Sequence, residues 1–298
     1  MHDYLNDPDF LKDELRSGHP VSREMKKIWA CELDLLQLFD RFCHEHGLHY
    51  TVDYGTLLGA VRHHGFIPWD DDIDVSMPRK DYDRMMSIAD SYFKAPYYFQ
   101  YIYKNPGMCW GMAKLMNDST TCIEPHPLPP EYHCGIFIDI FPLDDVPDDP
   151  AKPASVRKML YESWLITQSP EKIPLLSAKG YHFSMPQEMI DQILSMSPEQ
   201  KGRLLEGLLS ANDGQSERIN WFPFEMDDDP WPPSRDRKWH SDTITLSFEG
   251  IEVPAPAGWD DILRTQYGGD YMIPQKKPNL HAGAFFDTEH PWTDHRKL

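Results

Sequence analysis

Cysteine is scarce in this chain and never occurs as a CxxC pair. Cys31, Cys43, Cys109, Cys122 and Cys134 are odd in number and scattered through 298 residues. That argues against a disulfide framework and predicts reduced, mostly buried thiols. No apolar run reaches the ~20 residues that cross a bilayer, and the opening MHDYLNDPDFLKDELR has no apolar h-region. The expectation is a cytoplasmic protein with no transmembrane segment, touching any membrane-linked substrate only peripherally. Basic charge is also short: 29 Lys and Arg face 48 Asp and Glu, for a net charge of -19. This balance argues against nucleic acid as a partner, although a local basic pocket for phosphate groups is compatible with it. There is no internal repeat and no low-complexity tail. What is present, 40% hydrophobic and 26% charged residues, belongs to a globular chain that can bury a sizeable core as one large or two modest domains.

Residues 50–77 read YTVDYGTLLGAVRHHGFIPWDDDIDVSM, and four carboxylates fall in the five positions from Asp70 to Asp74. Along a strand, successive side chains point to opposite faces. Asp70, Asp72 and Asp74 would then share one face and repel each other, which calls for a cation. Hard oxygen ligands favour Mg²⁺, with Mn²⁺ also suitable, over Zn²⁺. Upstream, the Gly55-Thr56 turn follows a strand and precedes a helix. Glycine permits close backbone approach, and a helix N-terminus attracts anions, so the turn suits a phosphate.

A second acid lies in GIFIDIFPLD. Ile136, Ile138 and Ile140 alternate with Phe137, Asp139 and Phe141, so the strand reads as buried on both faces with one acid inside. A buried carboxylate is costly unless paired or metal-bound, and Asp72 and Asp74 supply a matching strand. Two strands giving three acids form a minimal cradle for the metal ions of phosphoryl transfer. Asp144 and Asp145 read as turn residues. Among the few basic residues nearby, Arg62 lies within reach of a phosphate at the glycine turn. Lys114, in the apolar strand WGMAKLM, reads as a partner for a phosphate or an acid. His63 and His64 read as solvent-facing. Cys122, His126, His133 and Cys134 form a possible zinc set whose spacing matches no defensible pattern.

Helical periodicity covers residues 22–46, with Ser22 as N-cap and Gly47 as stop. Another helix opens at Pro78. Strands are expected at 50–54, 73–77, 97–103, 112–116 and 135–141. The acidic, turn-rich PLDDVPDDPAKP at 142–153 is the best boundary. It divides a catalytic core at 20–145 from a largely helical extension at 150–298. Within the extension, helices are expected at 154–167, 186–196, 198–210 and 257–267, with a hairpin around Gly250. The Trp- and Pro-rich stretch 221–240 reads as a binding lid or a structural wrap. Its aromatic rings would matter to a substrate carrying a quaternary ammonium.

DYGTLLGAVRHHGFIPWDDDIDVSMPRKDYDRM closely resembles the signature of LicD proteins, a nucleotidyltransferase-fold family that includes fukutin-related sugar-modifying enzymes. GIFIDIFPLDDVP resembles its second block and VPAPAGWDDILRTQYGGDYMIP its carboxyl-terminal block. The resemblance implies an α/β (α+β) DNA-polymerase-beta-like fold, a small mixed sheet flanked by helices. The superfamily's Gly-Ser/Thr falls on Gly55-Thr56, its acid-hydrophobic-acid on Asp72-Ile73-Asp74, and its third acid on Asp139. The gap from Thr56 to Asp72 is long for the superfamily, which leaves Asp70 as a supporting acid. The resemblance also implies transfer of phosphocholine from CDP-choline, or a similar group from another CDP-alcohol, to a sugar of a teichoic acid, lipopolysaccharide or capsule precursor. Gly55, Thr56, Arg62 and Lys114 would hold phosphates, and Asp72, Asp74 and Asp139 would bind Mg²⁺ and carry catalysis. Two alternatives remain: a nucleotidyltransferase attacking the α-phosphate of an NTP, and a non-catalytic nucleotide-binding module.

Overall fold

The structure, a computed structural model, describes residues 2–104, 111–125, 132–146, 154–212, 214, 216–221, 233–276 and 283–296. A short hairpin, β1 (Glu14–Arg16) and β2 (His19–Val21), leads into the long helix α1 (Arg23–His46). Ser22 caps α1 by accepting from the Met25 amide, and Gly47 ends it in the left-handed region at φ 60°. Then follow β3 (Thr51–Val52), α2 (Tyr54–His63), β4 (Asp74–Pro78), α3 (Arg79–Tyr92), β5 (Tyr97–Gln100), β6 (Ala113–Asn117), β7 (Thr121–Ile123) and β8 (Ile136–Asp145). The second half supplies α4 (Ala154–Gln168), α5 (Lys172–Ala178), α6 (Gln187–Ser195), α7 (Pro198–Leu209), β9 (Arg218–Asn220) and β10 (Arg235–Asp236). It closes with β11 (Thr243–Phe248), β12 (Ile251–Pro256), α8 (Trp259–Tyr267), β13 (Phe285–Asp287) and α9 (Trp292–His295).

The main sheet runs β10-β9-β8-β4-β3, with β6 also on β8 and β5 on β6. The pairing of β4 with β8 is parallel and the rest are antiparallel. β8 is the axis of this small mixed sheet. All ten of its residues are buried, as the apolar run implies for a strand covered on both faces. Its first half lies between β4 and β6, and its second half between β4 and β9. Ile138 and Ile140 join Trp29, Leu33, Phe39 and Val75 in the main core. Phe141 enters a second cluster with Leu160, Trp164, Leu205 and Leu209 of the carboxyl-terminal helices. Burial of such side chains contributes on the order of 1.5–3 kcal/mol each.

Several boundaries differ from the sequence reading. α2 begins at Tyr54, so Gly55 and Thr56 lie in its first turn and not in a turn before it. The strand carrying the acids begins only at Asp74, leaving Asp70 to Ile73 outside regular structure. β8 runs on through Asp144 and Asp145, because both find arginine partners that make burial tolerable. β1, β2, α5, β7, β9, β10 and β13 carry periodicity too short to be read. Cys109, His126, the boundary stretch 147–153 and most of the proposed lid, 222–232, lie outside the described residues.

Candidate active site

Three neighbouring strands place three charged side chains in one row. Asp74 on β4 lies opposite Asp139 on β8 in the parallel register, and Asp139 lies opposite Lys114 on β6 in the antiparallel register. Residues at matched positions of adjacent strands share a face. All three are buried. Lys114 Nζ is 3.1 Å from Asp139 Oδ1 and 3.3 Å from the Phe137 ring centre. Burial pushes the Lys114 pKa down, and Asp139 more than offsets that. Burial lifts the Asp74 carboxyl well above the usual range, and Asp72, Asp139 and Asp70 lift it further. One lysine thus faces a set of mutually repelling carboxylates.

The first turn of α2 is fitted against this row. Asp53 caps the helix, its amide donating to the Asp74 carbonyl at 3.0 Å and its carboxylate accepting from the Tyr54 amide at 2.7 Å. Tyr54 sits at φ 41°, a strained conformation for a residue with a side chain. The Thr56 hydroxyl accepts from the Asp74 amide at 2.8 Å. Thr56 therefore fixes the start of β4, and with it the direction of the Asp74 side chain. A Cβ on Gly55 would lie 2.5 Å from Asp70 Oδ2. Glycine here makes room for Asp70, whose backbone carbonyl accepts from Trp29 Nε1 at 2.8 Å.

Other groups around the acids were not legible in the sequence. Glu32, on the buried face of α1, is 1% exposed, and its Oε2 has no hydrogen-bond partner among the described residues. Burial raises its pKa well above the ordinary carboxylate value, and Asp72, Asp71, Asp70 and Asp74 add to the rise. Strand alternation would turn Asp71 to the face opposite Asp70 and Asp72, away from the metals; it is buried and among the charges acting on Glu32. Tyr267 of α8 is raised by burial and then by Asp74 and Asp70, which places the carboxyl-terminal block against the same cluster. Arg235 is fully buried, pairs with Asp53 through Nη1 at 2.6 Å and lies over the Tyr54 ring. Burial works against the Asp53 charge, but Arg235 outweighs it and holds the carboxyl below its ordinary pKa. Only convergence in space reveals Glu32 and Arg235, since they stand 42 residues before Asp74 and 161 after it (74 − 32; 235 − 74).

The basic residues are more engaged than the sequence reading implies. Arg62 donates to the Tyr271 carbonyl at 2.6 Å and to His63 Nε2 at 2.9 Å, tying α2 to the carboxyl-terminal block. His63, expected in solvent, is half-buried, and burial followed by the Arg62 charge pulls its pKa down to about 4. Asp144, expected in a turn, accepts both Nε and Nη2 of Arg79 at 2.6 Å within the core. The proposed zinc set does not assemble among the described residues. His133 stacks on Tyr98 and pairs with Asp118, and Cys134 Sγ lies 3.0 Å from Arg296 Nη1. A different potential metal-coordinating cluster is present at Asp287, His290 and His295. Among the described residues no helix is long and apolar enough to cross a membrane.

The small mixed sheet flanked by helices, with its helical carboxyl-terminal region, defines a nucleotidyltransferase-type fold. Residues 47–155, which span the acids and the first turn of α2, match the LicD/FKTN/FKRP nucleotidyltransferase domain. The chain is also 28% identical over 266 residues to the lipopolysaccharide cholinephosphotransferase LicD of Haemophilus influenzae, covering 83% of this chain and 93% of that protein. Residues 47–155 are thus a LicD-type nucleotidyltransferase domain, homologous to the LicD cholinephosphotransferase. Shorter matches join the chain to uncharacterised proteins of two other bacteria. One, from Rickettsia prowazekii, is 37% identical over 57 residues, 19% of this chain and 21% of that one. The other, from Rickettsia typhi, is 35% identical over 77 residues, 24% of this chain and 25% of that one.

Proposed function

We propose that the chain is a Mg²⁺-dependent phosphotransferase that moves a phosphocholine-like group from a CDP-alcohol to a sugar hydroxyl of a cell-surface glycan precursor. The observation that carries this reading is the register of Asp74 beside Asp139, with Asp70, Asp72 and Glu32 crowded around them. Buried Asp74, Asp139 and Glu32, half-buried Asp70 and Asp72, and Lys114 beside Asp139 together fit a divalent cation, and the Glu32 oxygen left without a partner among the described residues supports that fit. The donors are hard oxygens, which suit Mg²⁺ or Mn²⁺. The choice of donor and acceptor classes rests on the LicD relative, whose name gives it cholinephosphotransferase action on lipopolysaccharide.

Asp72, Asp74 and Asp139 would hold the metal, with Asp70 in support. When bound, Mg²⁺ neutralises charge on the transferring phosphoryl group and orients it. Asp139 accepts the proton of the attacking sugar hydroxyl as its oxygen bonds to the phosphorus bearing the alcohol. The bond from that phosphorus to CMP breaks, and CMP leaves. Lys114 keeps Asp139 oriented and sits where a phosphate oxygen is attracted. Gly55 and the amides of the first turn of α2 face the anion, Thr56 holds Asp74 in register, and Arg62 holds the carboxyl-terminal block against the site.

The test is a donor panel with glycan acceptors, reading CMP against pyrophosphate. CMP release from CDP-choline or another CDP-alcohol supports the proposal. Pyrophosphate release from an NTP, with none from any CDP-alcohol, replaces it with nucleotidyl transfer. Calorimetry showing no binding of Mg²⁺ or nucleotide would reduce the chain to a non-catalytic module.

A further inference from the structure

We infer that Asp287, His290 and His295 form a second cation site, suited to zinc or a similar borderline transition metal and distinct from the acidic cluster. His290 Nδ1 and His295 Nε2 each lie 3.0 Å from the same atom, Asp287 Oδ2. The three donor atoms all fall within 4.8 Å of one another. A tetrahedral zinc with nitrogen and oxygen ligands at ~2.0–2.1 Å sets neighbouring donors ~3.3 Å apart. The cluster therefore needs only small adjustments to take the ion. Two imidazoles and one carboxylate, with water in the fourth position, form a borderline set that suits Zn²⁺ and suits Mg²⁺ poorly.

The ligands are held in place from both sides. The second oxygen of Asp287, Oδ1, accepts from the amides of Glu289 at 2.8 Å and His290 at 3.1 Å, which fixes the carboxylate plane. Asp287 ends β13 opposite Thr121 of β7. The His290 carbonyl accepts from the Thr121 hydroxyl at 2.9 Å, and the Trp292 amide donates to the Thr120 carbonyl at 3.1 Å. Trp292 Nε1 donates to Asp118 Oδ1 at 3.0 Å, and Arg296, next to His295, reaches the Tyr132 carbonyl at 2.9 Å. An ion joining residues 287, 290 and 295 would cross-link β13, the following loop and α9 into one clasp on β7. Because the two imidazoles are exposed, the metal would exchange with solvent without unfolding the chain.

The full chain is stripped with a chelator and titrated with Zn²⁺, and separately with Co²⁺, in excess Mg²⁺ to occupy the oxygen-only acidic cluster. The expected result is one equivalent bound despite the Mg²⁺, visible d–d absorption with Co²⁺, and a higher unfolding temperature. His290→Ala combined with His295→Ala should lose the absorption and weaken binding by at least the ~10–100-fold that even supporting partners of metal ligands contribute. His295→Gln, which keeps most of the side-chain volume, should weaken it as well. The proposal is overturned if no binding survives Mg²⁺, or if binding is unchanged in these variants. In that case the two histidines act only as hydrogen-bond partners of Asp287. These readouts are independent of whether the acidic site transfers phosphocholine.

Discussion

Charge on single residues governs the acidic site, and the sharpest predictions follow from removing it. Asp74→Asn deletes a carboxylate that the proposed function needs and the fold disfavours. Transfer should drop by about 100- to 1,000-fold or more, while the unfolding temperature without metal stays level or rises. Full activity with metal present would refute the assignment. Glu32→Gln should likewise raise the unfolding temperature of the metal-free protein, because a neutral amide replaces a buried acid facing Asp72 and Asp71. Lower stability in that variant would show that Glu32 has a partner the carboxyl group satisfies better. The sequence displays Asp72, Asp74 and Asp139 because strand alternation and a charge within an apolar run are local signals. It conceals Glu32 because an acid on an amphipathic helix ordinarily faces water, and only the packing of α1 beside the acid run turns this one inward. Two histidines give a pH prediction. Burial, followed by the neighbouring Arg62 or Arg235 charge, brings the pKa of His63 and of His240 from 6.5 to about 4. Below pH 6.5 the unfolded chain takes up protons that the folded chain refuses, so stability falls as pH drops from 6.5 toward about 4. Replacing both with Asn should flatten that limb in denaturant titrations across this window; an unchanged slope would contradict it.

Elements position those charges through close backbone contacts. Gly59 on α2 faces the Gly65 carbonyl, and a Cβ there would lie 2.4 Å from it. Because the obstacle is backbone, Gly59→Ala should cost about 1–3 kcal/mol, read by denaturant unfolding. It should also lower transfer by shifting Thr56 away from the Asp74 amide. A neutral effect on both would mean the loop at 65–67 yields freely. At this scale the sequence was most readable where periodicity ran long: α1 with its Ser22 and Gly47 caps, the β11–β12 hairpin and α8. It misled where a short segment was decided by distant partners. Sharing of one face by Asp70, Asp72 and Asp74 requires a single strand, yet only Asp74 is in β4, and the earlier acids reach the cluster from a loop. β8 outran its predicted end because Arg79 and Arg237 wait for Asp144 and Asp145 from other parts of the chain.

For the whole molecule, the link between the main sheet and the later helices is electrostatic as well as apolar. Arg79 of α3 pairs with Asp144 of β8 and, at 2.5 Å, with Glu206 of α7, all within the core. Arg79→Ala would strand two buried acids and should cost about 3–5 kcal/mol, measured by denaturation at neutral pH. A change under 1 kcal/mol, within the range of exposed ion pairs, would rule out this bolt. β9 and β10 extend the same sheet from the far side of the 145/150 division, and the β11–β12 hairpin packs beside β3 and α2. We propose that both parts unfold in one transition. Two separated transitions would show that the division is also a folding boundary. The composition read correctly as globular, but which distant segments share a sheet depends on long-range pairing that periodicity does not encode.

The contact between Gly55 and Asp70 gives the first turn of α2 an anion of its own. An Asp70 carboxylate oxygen lies beside this turn, where the proposed function has a nucleotide phosphate approach. A phosphate bound there would meet a carboxylate that is covalently tethered and cannot diffuse away. The repulsion between them would ease once a cation draws Asp70 toward the other acids. Binding should accordingly be ordered, metal before nucleotide, with nucleotide affinity weak in chelator and rising with Mg²⁺. Asp70→Ala should relax that order by letting nucleotide bind without metal.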